Sequence, residues 1–320
     1  MIFLSERTFA GEYIPIFGVK NRDRKDLFFV LFGPIIIGIV ITNQIYFTKV
    51  QTHRYKQMAS KKKSDIRSIL LPVSAVLLFI VIWQLAGMYV GNAFVMPSFI
   101  DTLSAFSDMV TGDGTIAMDL YYSLMHFAMG LIAALIVGIT VGAAMGWFYD
   151  FNRFINPIIE LFRPIPPLAW IPFAIIWFGL SNFAAGFIIF IGAVFPILVN
   201  TYTGFRNVPK VFLEAGKVLG CNSNIALIRR IAFPSAYPSI ISGIRVAMGV
   251  GWMCLVGAEI FGAGSGKYGL GKNLWTYYNL HQMPNVVVYM IILGLIGLLI
   301  DILFRYYVNT QMLKWQDDAL

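Results

Sequence analysis

Apolar residues fall along the chain in long blocks, separated by shorter stretches that hold most of the charge. A helix needs about 20 predominantly apolar residues to cross the hydrocarbon core of a bilayer. Seven blocks approach that length, at about 27–47, 69–90, 122–148, 164–180, 183–203, 237–261 and 286–308. Each is expected to be a membrane-spanning helix, which makes the chain an all-α integral membrane protein. The first block is too long for the apolar core of a signal peptide, and no small-residue cleavage pattern follows it, so it reads as a retained helix with a kink at Pro34.

Composition agrees with this pattern. Of the 320 residues, 58% are hydrophobic and 12% charged, and the mean hydropathy is +0.73, whereas soluble domains carry roughly 25% charged residues. The placement of charge then predicts orientation, because short loops rich in Lys and Arg stay cytoplasmic. The stretch 48–68 holds Lys49, Arg54, Lys56, Lys61, Lys62, Lys63 and Arg67 against the single acid Asp65, and is expected inside. The stretch 91–120 has no Lys or Arg but carries Asp101, Asp108, Asp113 and Asp119, which suits the outside. Alternation puts 150–163, 204–236 and the C-terminus inside and leaves the N-terminus outside, despite Arg7, Lys20, Arg22, Arg24 and Lys25. The net charge of +8 needs no nucleic acid, since much of it faces anionic lipid.

Catalytic chemistry is hard to find. Cys221 and Cys254 lie in a loop and a helix, offering neither a disulfide nor a CxxC metal site, and His53, His126 and His281 are scattered. There is no HExxH, no GxSxG and no pair of carboxylates on one helix face. One stretch does mimic a nucleotide site: Gly264, Gly266 and Gly269 form a GxGxxG, and Gly266 to Lys272 stops one residue short of a P-loop, with Asn273 where Ser or Thr belongs. A membrane helix rather than a strand precedes these glycines, and the loop is expected outside, away from cytosolic ATP. They read instead as a close-packed turn at the outer mouth, in which Lys267 and Lys272 attract an arriving anion or an acidic protein surface.

The loop 204–236 is far longer than a usual connection and has internal pattern. Asn207 is expected to cap a helix with Pro209 in its first turn, Val211, Phe212, Ala215, Val218 and Leu219 share one apolar face, and Gly220 stops it. Asn222 or Ser223 caps a second short helix, with Ile225, Ile228 and Ile231 on one face and Pro234 at its end. Two short amphipathic helices need something to pack on, either a partner or the bilayer surface itself.

This loop resembles the EAA motif of ABC-importer permeases: Glu214-Ala215-Gly216, three residues, Gly220, then Ile231-Ala-Phe233-Pro234. On either side, Arg163-Pro-Ile-Pro-Pro-Leu-Ala-Trp-Ile-Pro-Phe173 with Ile-Trp-Phe-Gly179, Gly243-Ile-Arg245-Val-Ala-Met-Gly249, and Ala258-Glu259 resemble the permeases for nitrate, sulfonates, taurine and bicarbonate. Gly216 and Phe233 depart from the usual Ala and Leu, His126 stands where Arg is common, and ten residues rather than nine separate Gly220 from Ile231. The extra residue is expected in the turn 221–224.

The resemblance implies a type I ABC-importer permease fold, with six core transmembrane helices plus one extra N-terminal helix. It divides the chain into an extension (1–47), a basic cytoplasmic linker (48–68) and a permease domain (69–320) whose coupling loop spans 205–236. The implied partners are cytoplasmic ABC ATPase subunits that bind ATP and Mg, an extracytoplasmic substrate-binding protein, and a second permease copy, in the inner membrane. No cofactor is expected on this chain. Coupling falls to Glu214, Ala215, Gly216, Lys217, Gly220 and Pro234, with Glu214 as polar anchor, Ala215 and Gly216 allowing close approach and Gly220 as the corner. Candidate pathway residues are Asn200, Thr201, Arg245 and Glu259, because polar groups inside spans face protein rather than lipid, together with Trp170, Trp177 and Trp252, which suit either a cavity lining or an anchor at the membrane interface. Arg245 and Glu259 are too far apart on one helix to pair with each other, so each is expected to bond elsewhere. Two other readings are a secondary transporter, which normally shows internal repeats not detected here, and a membrane enzyme, which needs a catalytic cluster.

Overall fold

The computed structural model describes residues 66–112, 115–262, 264 and 268–308. The expected helix at 27–47, the basic linker 48–68 as far as residue 65, and Lys267 lie outside the described residues. The chain divides into two compact units, 1–79 and 80–320; of the first, only the opening part of one helix is described.

All regular structure among the described residues is helical: α1 (Ile66–Val90), α2 (Phe99–Thr111), α3 (Thr115–Trp147), α4 (Tyr149–Phe162), a 3₁₀ turn (Pro167–Trp170), α5 (Ile171–Phe178), α6 (Asn182–Arg206), α7 (Lys210–Val218), α8 (Asn224–Leu227), a π turn (Ile228–Ala232), α9 (Phe233–Ile260), α10 (Leu270–Asn279) and α11 (Met283–Tyr307). Among the described residues, five stretches are long and apolar enough to cross a membrane, namely Leu70–Val90, α3, α6, α11 and Asn224–Ile260, in which α8, the π turn and α9 run on as one helix.

The expected span at 164–180 is the exception. Its residues form only the 3₁₀ turn and the eight-residue α5, and α4 meets them at a bend of 87°. Pro164, Pro166 and Pro167 favour the break: none has an N–H to continue the ladder, and Pro166, which precedes Pro167, is extended with ψ 132°. Two helices lie where polar loops were expected. α2 starts from a capping box in which Ser98 and Asp101 bond reciprocally to each other's backbone N–H, and α4 occupies 149–162 with no residue fully buried.

α6 is the central helix, packed between α3 and α9; Ala184, Ala185, Ile188, Ile189, Ala193 and Ile197 are all fully enclosed. Lipid tails are as apolar as leucine, so helices in a bilayer associate through close van der Waals contact rather than hydrophobic burial. The glycines of α3 supply that contact. A Cβ on Gly130 would sit 2.6 Å from the Gly186 carbonyl oxygen, and one on Gly142 would sit 2.6 Å from the Leu198 carbonyl oxygen. Gly138 and Gly146 meet Ile197 and Phe205 in the same way, so the four-residue glycine repeat is a packing ridge against α6.

Candidate functional site

Two regions carry the residues that the sequence singles out. The first is the loop from α7 to the start of α9. α7 begins after Pro209, which has no side-chain cap to offer, and Asn207 closes α6 instead of capping α7. The helix ends in a Schellman arrangement: Gly220 N–H donates to the Lys217 carbonyl (3.1 Å) and Cys221 N–H to the Gly216 carbonyl (2.9 Å). Gly220 has φ +92°, a conformation that costs glycine little and other residues more. Ser223 then caps α8 by accepting from Ala226 N–H at 3.2 Å.

Gly216 is buried and lies directly against Ile231, so closely that a Cβ there would collide with the end of the Ile231 side chain. The glycine thus fits α7 against the π turn. That turn also bears on the spacing. A π turn takes in one residue more than an α turn, and the one at Ile228–Ala232 lies in the same Gly220 to Ile231 interval as the turn 221–224.

The apolar face of α7 is not covered. Val211 is 69% exposed, Val218 87% and Leu219 84%, and Ile225 on α8 is 77% exposed rather than packed with Ile228 and Ile231. Leu227, Cys221 and Ala232 fill the inner side in its place. Glu214, Ala215 and Lys217 are exposed beside this apolar edge, and Pro234 is exposed in the first turn of α9.

The second region is a buried polar cluster, most of which sequence reading missed. Asp119, assigned to an outer loop by its charge, lies inside α3 with no exposure, and Ser123 and His126 follow at four and seven residues on the same face. From α9 comes Glu259, 2% exposed. The Ser123 hydroxyl donates to the Glu259 carboxylate (2.7 and 2.9 Å to its two oxygens), His126 Nδ1 stands 3.0 Å from Oε1, and His126 Nε2 stands 3.0 Å from Asn182 Oδ1 at the start of α6. These side chains cap α10 from a distance. Gly269 N–H donates to Asp119 (3.0 Å), Leu270 N–H to Ser123 Oγ (2.9 Å) and Gly271 N–H to Glu259 Oε2 (2.8 Å). Asn273 Nδ2 and the Tyr289 hydroxyl also donate to Asp119, at 2.7 and 2.6 Å.

This arrangement explains Gly269 and Gly271. Gly269 has φ +146°, which L side chains rarely adopt, and a Cβ there would press on the Glu259 carboxylate at 3.2 Å. The N-terminal amides of α10, which could cradle a phosphate in another protein, are already satisfied by the chain's own carboxylates and hydroxyl. The signal for the cluster was present as Asp119, Ser123 and His126 at helical spacing across the start of the apolar block 122–148, but nothing in the sequence joins them to residue 259 or 270.

The remaining candidates are placed apart. Arg245 Nε bonds Asp301 Oδ1 of α11 at 3.1 Å, and Arg305 reaches the other oxygen at 2.9 Å; Arg245 and Glu259 therefore each pair within the chain but not with one another. Trp252 donates to the Leu293 carbonyl (3.1 Å) and packs edge-on against Phe127. Trp170 is partly buried against Phe162 and Phe173, whereas Trp177 is exposed. Asn200 bonds back to the Pro196 carbonyl, and Thr201 is fully buried with no partner for its hydroxyl among the described residues. Lys272 is partly exposed in the first turn of α10.

Residues 130–310 match the model of the binding-protein-dependent transport system inner membrane component family. The chain belongs to that family. As a permease of this kind it is 38% identical to a provisionally named ABC transporter permease protein of Methanocaldococcus jannaschii, over 79% of this chain and 96% of the relative. It is 32% identical to the bicarbonate transport system permease protein CmpB of Synechococcus elongatus, over 75% and 88% of the two chains. It is 31% identical to the nitrate import permease protein NrtB of Synechocystis, over 73% and 86%. In fold the permease resembles a chain of the inward-facing methionine ABC transporter MetNI, with TM-score 0.53 and 19% identity, over 61% of this chain and 95% of that one.

Proposed function

We propose that the chain is the membrane-spanning subunit of an ATP-driven importer. It carries a small anion of the nitrate, sulfonate, taurine or bicarbonate class from an extracytoplasmic binding protein into the cytoplasm by alternating access. The observation that carries this reading is the uncovered apolar edge of α7 and α8. Val211, Phe212, Val218, Leu219 and Ile225 are exposed on a segment held rigidly by a Schellman stop and a buried glycine contact. A stiff element with an exposed apolar edge suits docking into a groove of a soluble ATPase, which binds ATP and Mg and moves the element when it closes.

The names of the relatives that act on bicarbonate and nitrate support the anion class. In this reading two copies of the chain form the pathway, the α7–α8 edge and the C-terminus face the cytoplasm, and the α10 end faces the binding protein. Purifying the full-length chain from its own host tests it. A co-purifying ATPase, and uptake of labelled nitrate or bicarbonate into proteoliposomes that depends on ATP and the binding protein, is the expected result. Uptake by the chain alone, driven by an ion gradient, would instead establish a secondary transporter.

A further inference from the structure

The transport reading has no use for the buried cluster at α10, yet burying ionised side chains is costly unless geometry and hydrogen bonding compensate. We propose that His126 and Glu259 form a protonation-dependent clamp on the N-terminus of α10. This rests only on the geometry of the cluster, whichever side of the membrane it faces.

The groups around His126 come from several elements. Glu259 of α9 meets Nδ1 and Asn182 of α6 meets Nε2; Tyr122 of α3 lies with its ring centroid 6.5 Å from the imidazole, and Gly264 closes the remaining side. Ser123 and Asp119 extend the cluster along α3, where Asp119 is held by Gly269, Asn273 and Tyr289. In its charged form the imidazole donates from both nitrogens, to a carboxylate oxygen and to an amide oxygen. After losing its proton it keeps one donor. If that donor stays on Nε2, the Nδ1 lone pair faces the carboxylate; if it stays on Nδ1, the Nε2 lone pair faces the amide oxygen unless Asn182 turns over.

In both cases Glu259 loses a positive partner while buried. The relief available is for Gly271, which donates to the other carboxylate oxygen, to move off and admit water. Because Leu270 bonds Ser123, and Ser123 bonds Glu259, the amides at Leu270 and Gly271 let go together, and Gly269, next to them in the chain and held by Asp119, loosens with them. α10 also presents Trp275 and Tyr278, stacked with centroids 5.0 Å apart and both exposed. The clamp therefore sets how firmly that aromatic pair is held out for contact.

Amide hydrogen exchange reads these bonds directly and needs no substrate. The full-length chain in lipid nanodiscs is compared from about pH 6 to about pH 9, spanning the usual imidazole titration, with exchange corrected for its intrinsic pH dependence. In the wild type, protection at residues 269–271 falls with rising pH, by up to about tenfold per pH unit above the His126 titration, while protection in the middle of α6 is level. His126→Arg keeps a permanent cation and Glu259→Gln removes the charge that needs one, so both flatten the profile. Should either variant fail to fold, the other and the wild-type profile still decide. Wild-type protection that is level across the range, or that falls equally in His126→Arg or Glu259→Gln, overturns the clamp.

Discussion

The two regions handle their polar and apolar groups in opposite ways. At α10, carboxylates, a hydroxyl, an imidazole and backbone amides are buried together and satisfy one another inside the chain. At α7 and α8, large apolar side chains stand in the open and the local hydrogen bonds only shape the turn. The first region is complete by itself, and substitutions there should register in stability. The second is incomplete by itself, and substitutions there should register in what the chain does with a partner.

The sharpest break of this contrast is Glu259→Ala. It strips a partner from Ser123, His126 and Gly271 at once, and leaving a buried polar group unsatisfied costs about 1–3 kcal/mol for each. Thermal unfolding of the full-length chain in detergent checks this, and an unchanged midpoint would show that the cluster is not stabilising. Next in size is Gly220→Pro. Proline's φ of about −65° conflicts with the observed +92°, so the corner moves and ATP-driven uptake is expected to fall more than about tenfold, with the protein still inserted and folded. Wild-type uptake by that folded variant would remove Gly220 from the coupling element.

Val218→Asp with Leu219→Asp sharpens the contrast from the other side. Both residues are exposed, so stability should shift by no more than about 0.5 kcal/mol, while the ATPase recovered on co-purification drops about tenfold, as for loss of an interface anchor worth over 1 kcal/mol. A stability loss with full ATPase recovery would reverse the assignment. Gly216→Ala is smaller, because its clash is with the flexible tip of Ile231; a cost of about 1 kcal/mol, at the low end for overpacking, should appear in the same melt. Smallest is Lys267→Gln with Lys272→Gln, expected to lower uptake less than about threefold and to weaken its salt dependence. Unchanged uptake at every salt concentration would make them ordinary solvated charges.

How much of this was legible beforehand follows the range of the interactions. The long helices were, since an apolar block of the right length has few other uses, and so was Gly220, whose role is local. The bend before α5 was missed because 164–180 is apolar throughout, although its prolines gave the reason for a break. The π turn was not foreseen because a run of apolar and basic residues such as 228–232 reads the same in an α or a π turn, and tertiary packing, here of Ile231 on Gly216, is not written in it. The cluster at Glu259 lay beyond reach: its bonds join residues 133 and 136 positions apart, and the local pattern at Asp119 looks like loop charge until its partners are known.

The π turn has one more consequence. By joining α8 to α9 without a break it leaves a single helix from Asn224 to Ile260, 37 residues long, or about 55 Å at 1.5 Å per residue. One tip of this rod carries the exposed Ile225 and the other carries Glu259. No loop lies between the two tips, so movement at the near one passes along a continuous helix rather than through a hinge loop. The two regions that differ so sharply in chemistry are thus mechanically one part.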